Sequence, residues 1–196
     1  MFDLSSVNLP FSNPVSGPDG GGYYWTSSEN DDNLGFNWID IESSGTQVQF
    51  PNNDSSPDAI PIGFSFPFFG NQYSECIINP NGWIGFGQDF SLWSNIEIPS
   101  NDAPRPAIFA MWDDLNPVNN QCNQYCAGEV YYQSFTNKFV VTFDGVAHWW
   151  TNFENTFYDF QVILYPSGKI DINYRNLIGD YDASVGIQKN STIGSQ

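Results

Sequence analysis

Basic side chains are scarce in this sequence. Lys and Arg together number 5 against 22 Asp and Glu, and the formal net charge is -17. A surface of this sign repels phosphate backbones and anionic headgroups, so neither nucleic acid nor a membrane surface is an expected partner. The sequence also lacks an uncharged apolar run of about 18 residues, and membrane insertion is therefore not expected.

Motifs of catalysis are also missing. His148 is the single histidine, which excludes a zinc site of several histidines and an HExxH protease motif. No G-x-S-x-G elbow, P-loop or G-x-G-x-x-G motif is present, and a hydrolase triad has no evident members. We therefore expect no enzyme. A glycan-degrading domain with a carboxylate pair stays open as an alternative, because the spacing of such a pair is three-dimensional.

Helical periodicity is nearly absent, since Gly, Pro or Asn interrupts almost every candidate window. Short runs rich in Val, Ile, Phe, Tyr and Trp recur between turn residues instead, which predicts an all-β protein. Two hairpins are clear: Glu129–Phe143 around Thr136-Asn137, and Phe157–Tyr174 around Pro166-Ser167-Gly168. Hairpins of this length pack face to face, so we expect an antiparallel two-sheet β-sandwich, jelly-roll-like in type.

The length allows one domain with a hydrophobic core. We expect an extended segment over residues 1–22 and a single sandwich domain over 23–196. The predicted strands are Tyr23–Ser27, Phe36–Ile41, Thr46–Phe50, Ile62–Phe68, Glu75–Ile78, Gly82–Phe86, Ala107–Trp112, Glu129–Phe135, Lys138–Phe143, Thr156–Tyr165, Lys169–Tyr174 and Ala183–Gln188.

Three cysteines bear on the compartment. Cys122 and Cys126 lie in a polar stretch without a zinc-binding spacing, which favours a local disulfide over two thiols. Cys76 lies in an apolar run and is expected to be buried and reduced. A disulfide together with an acidic surface indicates an extracellular or cell-surface protein.

From Gly20 onward the sequence carries several ordered motifs: GGYYWTSSENDDNLGFNWIDI, IPIGFSFPFFGNQYSECIINPNGWIGFG, RPAIFAMWDDLNPVNN, GEVYYQSFTNKFVVTFDGV, TFYDFQVILYPSGKIDINY and ASVGIQ. In this order they resemble a nidogen-like β-sandwich module of large secreted bacterial and archaeal proteins. Such modules accompany secreted peptidases or stand in multidomain surface proteins. The resemblance implies a β-sandwich and a non-catalytic accessory role.

Paired carboxylates are the first candidate site. Asp113 and Asp114 end an apolar strand and are followed by Asn116. One interpretation is that an Asp caps the following loop. The other is an oxygen-rich calcium site, to which the loop carboxylates Asp31 and Asp32 would also belong.

Adjacent tryptophans are the second candidate site. Side chains of consecutive residues in an extended segment point to opposite sides, so Trp149 and Trp150 cannot both enter one core. With His148 and the loop residue Trp93, they form a predicted ligand-binding surface. The alternative is that one ring is in the core and a loop covers the other.

These features predict a non-catalytic extracellular module that binds a carbohydrate or an extracellular protein, or that spaces neighbouring domains. A structural subunit of an extracellular filament or surface layer is an alternative, in which an extended segment pairs with a sheet edge and the protein self-assembles.

Overall fold

Two antiparallel β-sheets make up the fold. A computed structural model describes residues 17–87, 91–122, 124–149, 156–179 and 182–195. The strands are β1 Thr46–Gln47, β2 Ile60–Phe68, β3 Asn71–Asn79, β4 Trp83–Gly85, β5 Ala107–Trp112, β6 Glu129–Phe135, β7 Lys138–Val146, β8 Phe157–Leu164, β9 Ile170–Ile178, β10 Ser184–Asn190 and β11 Ile193–Ser195. The predicted all-β sandwich is therefore confirmed.

The strand order is β1-β6-β7-β8-β9 in the first sheet and β11-β10-β5-β4-β3-β2 in the second. Most neighbours are consecutive strands, so each sheet is built around a meander, and the chain changes sheet after β1, β5 and β9. Both predicted hairpins are present, β6–β7 and β8–β9. No helix in the described part of the chain has the length and apolar character that crossing a bilayer requires.

The main core lies between the two sheets. Alternate residues of β7 enter it, as Phe139, Val141 and Phe143 are fully buried there. The ring of Phe143 stacks on Phe160 of β8 with centroids 4.3 Å apart. This alternation is the period of two that a strand imposes on its side chains, and it fixes which face of each sheet points outward.

A strap, which we define as residues 36–45, covers the outer face of the first sheet. The fully buried side chain of Gln161 pairs with the backbone of Ile39: its Oε1 accepts from the N–H at 3.1 Å and its Nε2 donates to the C=O at 2.8 Å. Ile41 packs on Val140 and Ile163 beneath the strap. The prediction of a strand at Phe36–Ile41 was wrong, because a side chain and not a neighbouring strand satisfies this backbone.

Arg175 contacts the strap at Trp38, next to Ile39. Its guanidinium lies 4.3 Å from the Trp38 ring centre and donates to Asp144 at 2.9 Å and Asp159 at 3.2 Å. Burial is the largest cause that raises the pKa of Asp144, and Asp159 adds to it. The strap is thus fixed by a mixed aromatic and ionic contact.

The connection between β4 and β5, residues 86–106, covers the outer face of the second sheet. Ile98 and Ala103 of this connection pack on Trp83, Phe109 and Trp112. Consequently both outer faces carry a layer of irregular chain. No strand forms at Tyr23–Ser27, where Tyr23 instead packs against Phe69. The expected extended segment 1–22 falls mostly outside the described residues.

The two ends of the sandwich differ in their connections. One end, the turn end, holds two-residue turns after β2, β6 and β10 and the five-residue turn 165–169. At the other end, the loop end, lie the connections 48–59 and 80–82 and the described parts of the connections 113–128, 147–156 and 179–183. The antiparallel registers place the ends of β3, β5, β7 and β9 at this loop end.

Candidate functional site

A tight turn between β3 and β4 forms the base of the loop end. Asn79 Oδ1 accepts from the N–H of Asn81 at 2.9 Å, and Asn81 Oδ1 accepts from the N–H of Leu115 at 2.9 Å. Between them the carbonyl of Gly82 accepts from the N–H of Met111 at 3.2 Å. Gly82 has a φ of 80°, and an added Cβ would lie 1.9 Å from the Met111 oxygen. Only glycine fits here, and the turn fixes the segment that follows β5.

Asp113, the first residue of that segment, is 4% exposed. Its Oδ1 accepts from the N–H of Asp114 at 2.9 Å and lies 3.3 Å from His148 Nε2. Its Oδ2 has no hydrogen-bond partner among the described residues. The expected loop cap is therefore present on one oxygen, while the second oxygen is left without a partner.

His148 brings the connection 147–156 to this carboxylate. Its Nε2 faces Asp113 and its Nδ1 faces the carbonyl of Trp149, so both ring nitrogens meet acceptors. The hydrogen bond to Asp113 is the largest cause that raises the pKa of His148, and the Trp149 carbonyl adds to it against the effect of burial. An imidazolium donates on both sides, so the protonated ring suits this place.

Asp114 lies at the same point but is partly exposed. Burial, and then the charge of Asp54, raise the pKa of Asp114 to about 6. Its Oδ1 is shielded from solvent and has no hydrogen-bond partner among the described residues. Asp54 Oδ1 accepts from Asn81 Nδ2 at 3.4 Å, which joins the connection 48–59 to the cluster.

Asn116 completes the group. It is 1% exposed, its backbone N–H donates to Ala147 at 2.8 Å, and its Oδ1 accepts weakly from Asn119 Nδ2 at 3.4 Å. Its Nδ2 has no hydrogen-bond partner in the described structure. We name Asp54, Asp113, Asp114, Asn116 and His148 the acidic cluster.

The expected acidic ligands do not form one carboxylate site. In the described residues, no three His, Cys, Asp or Glu side chains come together in a way that could hold a metal ion. Asp31 is 3% exposed, and its Oδ1 accepts from the N–H and Nδ2 of Asn33 at 3.0 and 2.9 Å, which caps its own turn. Asp32, beside it, is exposed.

Two of the three predicted tryptophans lie in described parts of the chain. Trp149 is half-buried and its N–H donates to the carbonyl of Asp114 at 2.7 Å. Trp93 is 51% exposed on the covering connection 86–106. Ser184 Oγ, at the start of β10, donates to the carbonyl of Ile96 at 2.7 Å and ties this connection to the loop end. Trp150 lies outside the described residues.

The sequence reasoning missed an apolar pair at the same end. Phe157 and Ile178 are cross-strand neighbours in β8 and β9, and they are 41% and 57% exposed. The signal was available in the sequence: both continue the outward-facing positions of their strands, where polar residues are expected. The ring of Phe157 lies over Gly145, which has no side chain in its way.

The longest connection of the loop end, 113–128, contains a disulfide. Cys122 and Cys126 are bonded with their Cα atoms 5.6 Å apart, which confirms the predicted pairing. Cys76 is buried and free, as predicted, and burial raises the pKa of its thiol. The disulfide restricts the connection 113–128, from which most of the acidic cluster comes.

A family model described as NIDO related matches residues 31–196, which include every strand and the whole acidic cluster. No solved structure matches the chain significantly.

Proposed function

The chain belongs to the nidogen-related family, and from this premise we propose that it is a non-catalytic module that binds a carbohydrate at its loop end. The family is a non-catalytic module type, and together with the Cys122–Cys126 disulfide it indicates an extracellular setting. The binding surface in this proposal consists of the predicted residues Trp93, His148, Trp149 and Trp150. The first three of these are described in the structure and carry the proposal.

One observation supports it most directly: the difference between the two ends of the sandwich. Tight turns join four pairs of strands at the turn end, whereas five longer or irregular connections meet at the loop end beside the acidic cluster and the apolar pair. The connection that carries Trp93 reaches the loop end at Ile96, where Ser184 binds it. Loops held on a rigid sheet scaffold are the usual place for binding residues. The covered outer faces of both sheets leave the loop end as the surface best suited to a ligand.

The chemistry of this end fits a sugar. The exposed indole of Trp93 offers a flat apolar face, and sugar rings stack on such faces. The side chain of His148 is 25% exposed and belongs to a cluster rich in carboxylates and amides. Groups of this kind exchange hydrogen bonds with hydroxyls, which would supply orientation while the indole supplies contact area.

A glycan array with the purified chain is the first test, followed by titration of the best ligand. Trp93→Ala should weaken binding at least tenfold, since aromatic contacts dominate many binding surfaces. Trp25→Ala is the matched control, because Trp25 is 40% exposed and lies two residues from Tyr23, which packs on Phe69 at the turn end. It should bind as the wild type does.

Three results would contradict the proposal. If the control weakens binding as much as Trp93→Ala, the loop end has no special role. If Trp93→Ala and Trp149→Ala both retain full affinity, the ligand lies elsewhere. If the chain binds no glycan on the array and no extracellular matrix protein in solution, the module is better explained as a spacer between domains.

The outer edge of β9 favours a second candidate function, self-assembly. β9 is the last strand of its sheet, has nine residues and contains no proline. The N–H of Tyr165 donates to the carbonyl of Lys169, so this residue pair is a hydrogen-bonded pair of the antiparallel ladder. Hydrogen-bonded pairs alternate with non-hydrogen-bonded ones, so the backbone N–H and C=O groups of Ile172 and Tyr174 point away from β8, toward the free edge of the sheet. If the β9 strands of two copies pair antiparallel around a two-fold axis, with Ile172 of one copy opposite Tyr174 of the other, then Asp171 of one copy lies opposite Arg175 of the other.

Sedimentation analysis tests this candidate. Association that Asp171→Lys weakens and Asp102→Lys leaves unchanged would support it, because Asp102 is exposed on the connection 86–106, away from β9. A monomer at every concentration would contradict it.

A further inference from the structure

The acidic cluster has no strong basic partner. All five Lys and Arg residues lie in the described parts of the chain and elsewhere in the fold. Lys138, Lys169 and Lys189 are at the turn end, Arg175 is on the strap side, and Arg105 bonds to the carbonyl of Ala103. Among the described cationic side chains, the His148 ring is the one that contacts these carboxylates. A buried carboxylate is costly without a compensating charge.

Two of the three side chains that carry unpartnered atoms in this cluster, Asp113 and Asn116, are nearly fully buried. Asp113 is 4% exposed and its Oδ2 has no partner, while its Oδ1 already serves the Asp114 N–H and His148. Asp114 Oδ1 is likewise shielded and, among the described residues, without a partner. Two shielded carboxylate oxygens without a hydrogen-bond donor suit a ligand that is positive and small.

Asn116 can supply a third oxygen. Its unpartnered atom is Nδ2, and a half-turn of the amide exchanges this nitrogen with Oδ1. The exchange gives up only the contact of 3.4 Å with Asn119 Nδ2, which is at the long limit of a hydrogen bond. The same half-turn removes a donor and presents an acceptor at the unpartnered position.

We propose that the segment Asp113–Asn116 binds a calcium ion through Asp113 Oδ2, Asp114 Oδ1 and the side-chain oxygen of Asn116. Calcium prefers hard oxygen ligands, accepts irregular geometry and completes its coordination with carbonyls and water. Zinc is disfavoured because the one imidazole is already engaged on both nitrogens. Two carboxylates and one amide make a modest site, with affinity in the range of extracellular modules, about 0.1–1 mM.

The ion site adjoins the proposed glycan surface through His148, but its test uses calcium alone and needs no glycan. The ion would bind to the segment between β5 and the disulfide-closed loop, next to the Asp114 carbonyl that accepts from Trp149. The ion would share with His148 the task of offsetting the negative charge of Asp113 and Asp114. Asp31 and Asp32 have no part in it.

The test is thermal unfolding of the chelator-treated chain in 10 mM CaCl2 against NaCl of equal ionic strength. At a dissociation constant near 1 mM, mass action predicts a rise in Tm of about 3–6 °C. Asp113→Asn keeps the oxygen that caps the turn but removes the charge, and it should abolish the calcium-specific rise. Asp102→Asn, which removes an exposed charge from the connection 86–106, should keep it.

A second readout does not depend on stability. Terbium luminescence excited through nearby indoles should appear on the wild type and decline as calcium is added. The proposal would be overturned if NaCl raised Tm as much as CaCl2 does, because the effect would then be charge screening only. It would also be overturned if Asp102→Asn lost the calcium-dependent rise in Tm as fully as Asp113→Asn. If Asp113→Asn does not fold, Asp114→Asn takes its place, and wild-type protein without calcium-displaceable terbium luminescence overturns it as well.

Discussion

Gln188 of β10 anchors the Trp93-bearing connection through the backbone of residues 100–104. Gln188 is fully buried and reaches the connection from below. Its Oε1 accepts from the N–H of Ser100 at 2.8 Å. Its Nε2 lies 3.1 Å from the carbonyl of Ser100, 3.3 Å from that of Ala103 and 3.1 Å from that of Pro104. We predict that Gln188→Leu loosens this connection while the sandwich stays folded.

The expected magnitude is set by these contacts. The Nε2 group of Gln188 has two hydrogens, so it can donate at most about two hydrogen bonds to the three nearby carbonyls. With the hydrogen bond that Oε1 accepts from Ser100, Gln188→Leu therefore removes about three hydrogen bonds. At about 1 kcal/mol for each, Gln188→Leu should cost about 3 kcal/mol, which lowers Tm by about 6–12 °C for a domain of this size. Gln188→Glu keeps the acceptor for Ser100 but sets a carboxylate among carbonyl oxygens, so at neutral pH it should cost more than leucine does.

Urea unfolding and hydrogen exchange measure the two parts of this prediction. The Ser100 amide should exchange slowly in the wild type and much faster in Gln188→Leu, while amides of β7 and β8 keep their protection. Glycan affinity through Trp93 should fall with the loss of order in the connection. Unchanged exchange at Ser100, or a glutamate variant as stable as the leucine variant, would refute the reasoning.

Three further predictions concern other parts of the fold. Replacing both cysteines of the disulfide by serine should lower the free energy of unfolding in urea by no more than about 2 kcal/mol, because the closed loop is short. Gly82→Ala should cost at least about 3 kcal/mol or prevent folding, whereas Gly22→Ala, with positive φ but no atom within 4 Å, should cost only about 1 kcal/mol. Burial is the largest cause that raises the pKa of Glu42 and Asp144 from 4.5 and 3.8. The stability that these two carboxyl groups contribute is therefore fully present below their unfolded-state pKa values and is lost as the pH rises through their raised folded-state pKa values. The Tm of the double variant Glu42→Gln/Asp144→Asn should fall less steeply with pH than the Tm of the wild type. An unchanged slope of Tm against pH would contradict this prediction.

Local pattern was sufficient for the strands that pair with a sequence neighbour. β5 and β6 have the predicted bounds, and the Thr136-Asn137 hairpin is where the sequence places it. The strap was mistaken for a strand because Phe36–Ile41 has strand composition, and nothing in that segment reveals that Gln161, far along the chain, pairs with it. β11 was missed because three residues give too short a pattern to recognise.

Four members of the acidic cluster, Asp113, Asp114, Asn116 and His148, were singled out from the sequence as candidates, but Asp54 and the way they assemble were not. Asp113, Asp114 and His148 stood out because two carboxylates follow an apolar strand and the histidine is unique. Their meeting with Asn81 and Asp54 depends on which strand ends share one end of the sandwich, and the sheet order decides that. Sequence spacing carries no such information for residues in different connections.

The covering of both outer faces limits the direction from which a partner can approach. With the strap over one sheet and the connection 86–106 over the other, neither sheet offers a broad bare surface for contact. A ligand held at the loop end would therefore lie in line with the strands, not across them. Pulling such a ligand away from the turn end would load the strands along their length, so that the hydrogen bonds of each antiparallel ladder would be sheared together.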